Sequence, residues 1–229
     1  MVDQLFLINS LLQLASGIVA LSVSFTAFRY MKLVENDILR FLSFGFMLLG
    51  VGLVFGASLM LLLSFNIGRI AEDLELVYVA TVAYLVLQAL AYFSFAVGYA
   101  RGAYGRVKEE VTSALFYLPT MALPRLPKSY LLLGTHINAA LQLLILILLA
   151  FVIFQGALIY SRTKGRFSLL VLSGFCLIFI AHLIMLASSL IPSAQVFTAG
   201  AVVQFGGFLS LLVFLLNSGR VHAASKNPQ

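Results

Sequence analysis

Charge is what this chain has least of: only 22 of its 229 residues are Asp, Glu, Lys or Arg, where a soluble domain of similar size carries about a quarter. Hydrophobic residues make up 62% and mean hydropathy is +1.08, so the chain reads as a polytopic helical membrane protein. Cys176 is the single cysteine, which excludes an intrachain disulfide and a cysteine metal cluster. Tryptophan is absent and there are only five prolines, and Pro192 is the one that falls at the edge of a long apolar run. No carboxylate falls inside any long apolar run, which argues against an ion-coupled pump and against a divalent metal at membrane depth. Barrel strands alternate polar and apolar residues; these runs do not, and a barrel is excluded.

What is present is a set of uncharged runs: Leu5–Phe28, Phe41–Gly68, Leu76–Ala100, Ser129–Ser161 and Phe167–Gly219. A bilayer core of about 30 Å takes about 20 helical residues, and the last run holds two such lengths broken near Pro192-Ser193. Six spans follow. The first run lacks a basic leader and exceeds the apolar core of a signal peptide, so it is expected to be a span. The net charge of +6 lies in loops between runs, a pattern of orientation and lipid-headgroup contact. Direct nucleic-acid binding is not expected.

The chain repeats itself. Ile8-Asn9-Ser10-Leu11-Leu12-Gln13-Leu14 returns as Ile137-Asn138-Ala139-Ala140-Leu141-Gln142-Leu143, five of seven positions matching at an offset of 129. Leu42-Ser43 and Ala57-Ser58 return as Leu172-Ser173 and Ala187-Ser188 at an offset of 130. Gln88 and Ser94 return as Gln204 and Ser210 at an offset of 116. The organisation expected is a three-helix repeat over 1–108, a linker helix or re-entrant segment over 109–128, and a second three-helix repeat with a short tail over 129–229.

Whether 109–128 crosses the membrane decides the span count. Val111–Pro124 has 14 uncharged residues, about 21 Å as a helix, and Pro119 interrupts it. With six spans the Lys and Arg residues divide eight against six; with a seventh they divide eleven against three. The copies also share one charge asymmetry, and a three-span unit repeats in parallel only with an extra crossing between the copies. The expected fold is therefore an all-α bundle of seven spans, three plus one plus three, in preference to an inverted three plus three. The N-terminus would then lie outside and the C-terminus in the cytoplasm.

Polar residues inside the runs are the candidate functional ones, because hydrocarbon offers them no partners. Asn9 and Gln13 form a stripe that Asn138 and Gln142 repeat, and Gln88 and Gln204 are mid-span. Together these six form a candidate polar core or pathway for a neutral solute, or else hydrogen bonds that only hold helices together. His182 is a candidate buried ligand or relay; no second histidine sits at matching depth, so no haem or other cofactor is expected. Gly45, Gly52 and Gly56 share one helical face suited to close packing. Arg101, Arg106, Lys108, Arg162, Lys164 and Arg166 form a candidate cytoplasmic basic face. Tyr30, Tyr99, Tyr104, Tyr130 and Tyr160 fall near span ends and read as interfacial anchors.

The three-plus-one-plus-three layout resembles sugar transporters of the SWEET type, although those carry prolines inside both repeats and these spans do not. A seven-helix bundle is also similar to microbial rhodopsins, but no span here offers a lysine for a retinal Schiff base. Basic turns followed by Leu42-Ser43-Phe44-Gly45-Phe46 resemble the membrane input modules of prokaryotic sensor proteins. With no serine–histidine–acid set and no acidic pair at depth, the chain is expected not to be an enzyme. Three functions fit: a component of a translocation pathway; a structural subunit of a respiratory, secretion or nucleic-acid-uptake complex; and a seven-helix sensory module docking a cytoplasmic partner. The partners expected are the lipid bilayer and other membrane subunits.

Overall fold

A computed structural model describes residues 2–34, 37–65, 74–104, 130–190 and 193–225. Among them the chain is helical throughout, with no strand: α1 (Val2–Val34), α2 (Asp37–Phe65), α3 (Leu74–Tyr104), α4 (Tyr130–Thr163), α5 (Arg166–Leu190) and α6 (Ala194–Ser225). Each holds a segment of 21 to 26 residues long and apolar enough to cross a membrane. Multi-pass membrane insertion explains the surface as well. Phe25, Leu62, Ile147 and Phe154 are each about 60% exposed, which water would penalise and lipid tails accept. The segment 109–128, together with Arg106 and Lys108, lies outside the described residues, as does Pro192.

The helices close a ring in chain order, α1 on α2, α2 on α3, α3 on α4, α4 on α5, α5 on α6, and α6 back on α1. Glycines set several of these seams. A Cβ added at Gly17 would stand 2.8 Å from Val54, and one at Gly50 would stand 2.6 Å from Leu21, so α1 and α2 meet backbone to backbone. Ser24 and Ser43 lock that seam, each hydroxyl donating to the other's carbonyl at 2.7 and 3.0 Å. On α2, Gly45, Gly52 and Gly56 all face α3, meeting Ala91 and Phe95, Leu87 and Tyr84, and Tyr84 respectively. Their common face thus packs within the chain.

Between α4 and α5 the reversal takes two residues. Lys164 adopts φ 45°, the left-handed conformation that ends a helix, and its amide donates to the Tyr160 carbonyl at 2.7 Å. Ser193 starts α6, its carbonyl accepting from the Phe197 amide at 3.1 Å.

Contacts between helices give their directions. Tyr92 meets His182 while Tyr99 meets Phe175, so α3 and α5 are antiparallel. α4 is antiparallel to α5 across its short turn, and the glycine contacts make α2 antiparallel to α1 and α3, and α6 antiparallel to α5. Consequently α1, α3, α4 and α6 run one way and α2 and α5 the other. Among the described residues every Lys and Arg (Arg29, Lys32, Arg40, Arg101, Arg162, Lys164, Arg166, Arg220) falls at the same end of the bundle. Several of them rest on aromatic rings there: Arg29 over Phe25, Lys32 over Phe28 and Arg101 over Phe41, at 5.1, 4.7 and 5.1 Å.

Candidate functional site

The ring has no hollow centre in its basic half. Phe46, Phe95, Phe175 and Phe208, one each from α2, α3, α5 and α6, meet there with Phe46 at 4.7, 6.5 and 6.2 Å from the other three. Tyr99 joins them, its ring 5.9 Å from Phe175 in an edge contact. This corrects the reading of Tyr99 as an interfacial anchor: only 5% of it is exposed. Its position near a span end suggested the headgroup region, but α3 runs past that depth with this face turned inward.

One to two turns further from the basic end, the core becomes polar. Tyr84, Gln88 and Tyr92 recur at i, i+4 and i+8 along one face of α3. His182 projects from α5 toward Tyr92, Gln142 reaches His182 from α4, and Gln204 lies beside the Tyr92 hydroxyl from α6. Gln88, His182 and Gln204 are at most 1% exposed.

Donor and acceptor roles follow from the chemistry of the partners. The Gln142 Oε1 carbonyl can only accept, so His182 Nδ1, 3.0 Å away, carries the proton. In the neutral ring Nε2 is then an acceptor, and the Tyr92 hydroxyl donates to it at 2.9 Å. The result is a chain of two hydrogen bonds linking α4, α5 and α3. Gln88 donates through Nε2 to the Tyr84 hydroxyl. Gln88 Oε1, an acceptor, is buried without a hydrogen-bond partner, and Gln204 Nε2, a donor, has the Tyr92 oxygen beside it but makes no close bond. Such groups cost about 1–3 kcal/mol each unless something fills their valence.

Of the six polar-core residues expected from sequence, the structure gathers Gln88, Gln142 and Gln204 around Tyr92. Asn9 and Gln13 are half-buried on α1 and take no part in the chain from Gln142 to Tyr92, although Asn9 Oδ1 is also shielded without a partner. Asn138 belongs to α4 and Arg166 to α5, and only their backbones are described. His182, the candidate buried ligand or relay, is the centre of the network, bonded to both Tyr92 and Gln142. Sequence reasoning missed Tyr84 and Tyr92; their spacing around Gln88 was the available signal. It also missed Gln155, which is 2% exposed on α4 with an unpartnered Oε1. Among the described residues no three His, Cys, Asp or Glu side chains gather as a metal site. The described side chains of the cluster include no carboxylate, lysine or arginine.

No protein-family model, curated protein or solved structure matches this chain.

Proposed function

We propose that the chain is a non-enzymatic integral membrane protein forming part of a translocation pathway for small uncharged solutes. The observation that carries this reading is the buried uncharged cluster of Gln88, Tyr92, Gln142, His182 and Gln204, in which Gln88 Oε1 has no hydrogen-bond partner. Fixed uncharged donors and acceptors replace the hydration of a neutral solute at little cost, and a cluster with no carboxylate, lysine or arginine and a neutral His182 offers ions no countercharge. The phenylalanine layer acts as the closed gate beneath the site.

The same proposal includes seven spans built from two parallel three-helix copies. That α3 ends at the basic end and α4 starts at the opposite one supports a crossing between the two copies. Packing supports the duplication. Gly45 meets Phe95 and the Ala91 carbonyl; Gly174 meets Leu211 and the Gly207 carbonyl. These pairs are 129 apart on the second helices, one short of the 130 that relates Leu42-Ser43 to Leu172-Ser173, and 116 apart on the third, which is the spacing of Gln88 and Gln204. The concentration of bases at one end supports a cytoplasmic basic face and a cytoplasmic C-terminus.

Flux in proteoliposomes tests the function. The full chain should raise permeability to small neutral solutes such as acetamide or glycerol, and Gln88→Leu with Gln204→Leu should remove the increase while the protein remains folded. Vesicles no more permeable than protein-free ones would end the translocation reading. The filled aromatic layer supports one second reading, a sensory module that binds a molecule in the same place without passing it and docks a partner at its basic end.

A further inference from the structure

The cations at the basic end are held in different ways. Arg101 is half-buried, its guanidinium over Phe41 of the neighbouring helix α2. Arg162 is exposed beside the α4–α5 turn and rests on no ring among the described residues. Helix α1 carries two cations on its outer face, each over the ring one turn before it. Arg29 lies over Phe25 at 5.1 Å and Lys32 over Phe28 at 4.7 Å. All four side chains are exposed, and among the described residues no carboxylate pairs with either cation.

A guanidinium lying over a ring keeps its N–H donors free, because they point outward in its own plane. The ring also holds the group in place, so less freedom is lost when an acceptor arrives. Lys32, three positions on, adds its ammonium donors on the same side of the helix. Two neighbouring cations, both positioned and both without an acidic partner, fit the oxygens of one phosphate group.

Below them the same stripe of α1 is bare apolar surface. Leu11, Ile18, Phe25 and Arg29 recur at i, i+7, i+14 and i+18, and the first three are exposed. From Arg29 to Ile18 is 11 residues, about 16 Å of helix, which is half of a hydrocarbon core of about 30 Å. An occupant that uses both parts is anionic at the rim and apolar for the depth of one leaflet. An acidic protein segment or a free phosphate would meet the cations and leave the stripe untouched.

We infer that the outer face of α1 at the basic end is a binding site for one anionic phospholipid. Its phosphate rests on Arg29 and Lys32, and an acyl chain lies along Phe25 and Ile18. The site stands on the outer wall of the bundle and does not depend on what the Tyr92 cluster does.

Native mass spectrometry of the purified full chain in detergent tests it. The probe is phosphatidylglycerol; the comparators are phosphatidylcholine with the same acyl chains, and glycerol phosphate, which has none. One phosphatidylglycerol should stay bound per chain at concentrations where phosphatidylcholine does not, and glycerol phosphate should not displace it. Arg29→Gln and Lys32→Gln should each weaken binding about tenfold. Phe25→Leu, which keeps the apolar surface and removes the ring, should weaken it about threefold. Arg162→Gln removes the same charge from the same end and should change binding by less than about twofold. All of these positions are exposed, and an unfolding midpoint measured without lipid checks that each variant is folded; should Arg29→Gln fail, Lys32→Gln reads the same site independently. Equal losses in Arg29→Gln and Arg162→Gln overturn the inference, because diffuse charge at that end would then hold the lipid. Equal retention of phosphatidylcholine, or displacement by glycerol phosphate, overturns it as well.

Discussion

The α1–α2 and α4–α5 hairpins are built differently. In the first, Gly17 and Gly50 bring the helix backbones together and Ser24 and Ser43 bond each other's carbonyls. In the second, a Cβ added at Gly156 would meet only a Leu172 methyl, at 3.3 Å, and the buried polar link is Gln142 to His182. Ser43 and Ser173 match in sequence, yet Ser173 donates at 2.8 Å to the Leu170 carbonyl of its own helix. One hairpin is fastened by close approach, the other by the chain of groups that leads to Tyr92. On the duplicated reading, one copy became scaffold and the other acquired the histidine that organises the site.

That contrast can be broken first at the glycines. Gly50→Leu should cost about 3 kcal/mol or abolish folding, since its Cβ already collides with Leu21 and the backbone beneath it. Gly156→Ala should stay within about 0.5 kcal/mol, because only a movable methyl is in the way. Equal losses in thermal unfolding would erase the distinction between the hairpins.

Next in size is Gln142→Leu, which removes the acceptor for the His182 Nδ1 proton and should cost about 1–3 kcal/mol. A double-mutant cycle with His182→Leu should show the two changes coupling. Simple additivity would mean the bond contributes nothing. Ser24→Ala should cost about 0.6 kcal/mol, the average for a hydrogen bond between membrane helices. Gln204→Leu should leave stability unchanged or raise it, because the buried amide donor it removes makes no close hydrogen bond.

How much of this was legible beforehand differs between levels. The six spans were readable because charge is confined to their ends, and the burial of Gln88, Gln142 and Gln204 because lipid cannot satisfy an amide. The network was not readable. His182 offered no partner in sequence, and the partners it has come from α3 and α4, 90 and 40 residues away. Tyr92 was passed over because a mid-span tyrosine is as apolar by composition as its neighbours. Tyr99 was misplaced because depth along a helix says nothing about which face turns inward.

The central claim is that two three-helix copies stand side by side in the same orientation, which sets Gln88 and Gln204 at matching depth. It is tested most directly by where residues 108 and 128 lie. Cysteines replacing Lys108 and Lys128, each alone in a Cys176→Ser background, can be labelled with a membrane-impermeant reagent in intact cells. The account expects the cysteine at 128 to react at once and the one at 108 only after permeabilisation. Equal reaction of both in intact cells would put them on one face and contradict the parallel repeat.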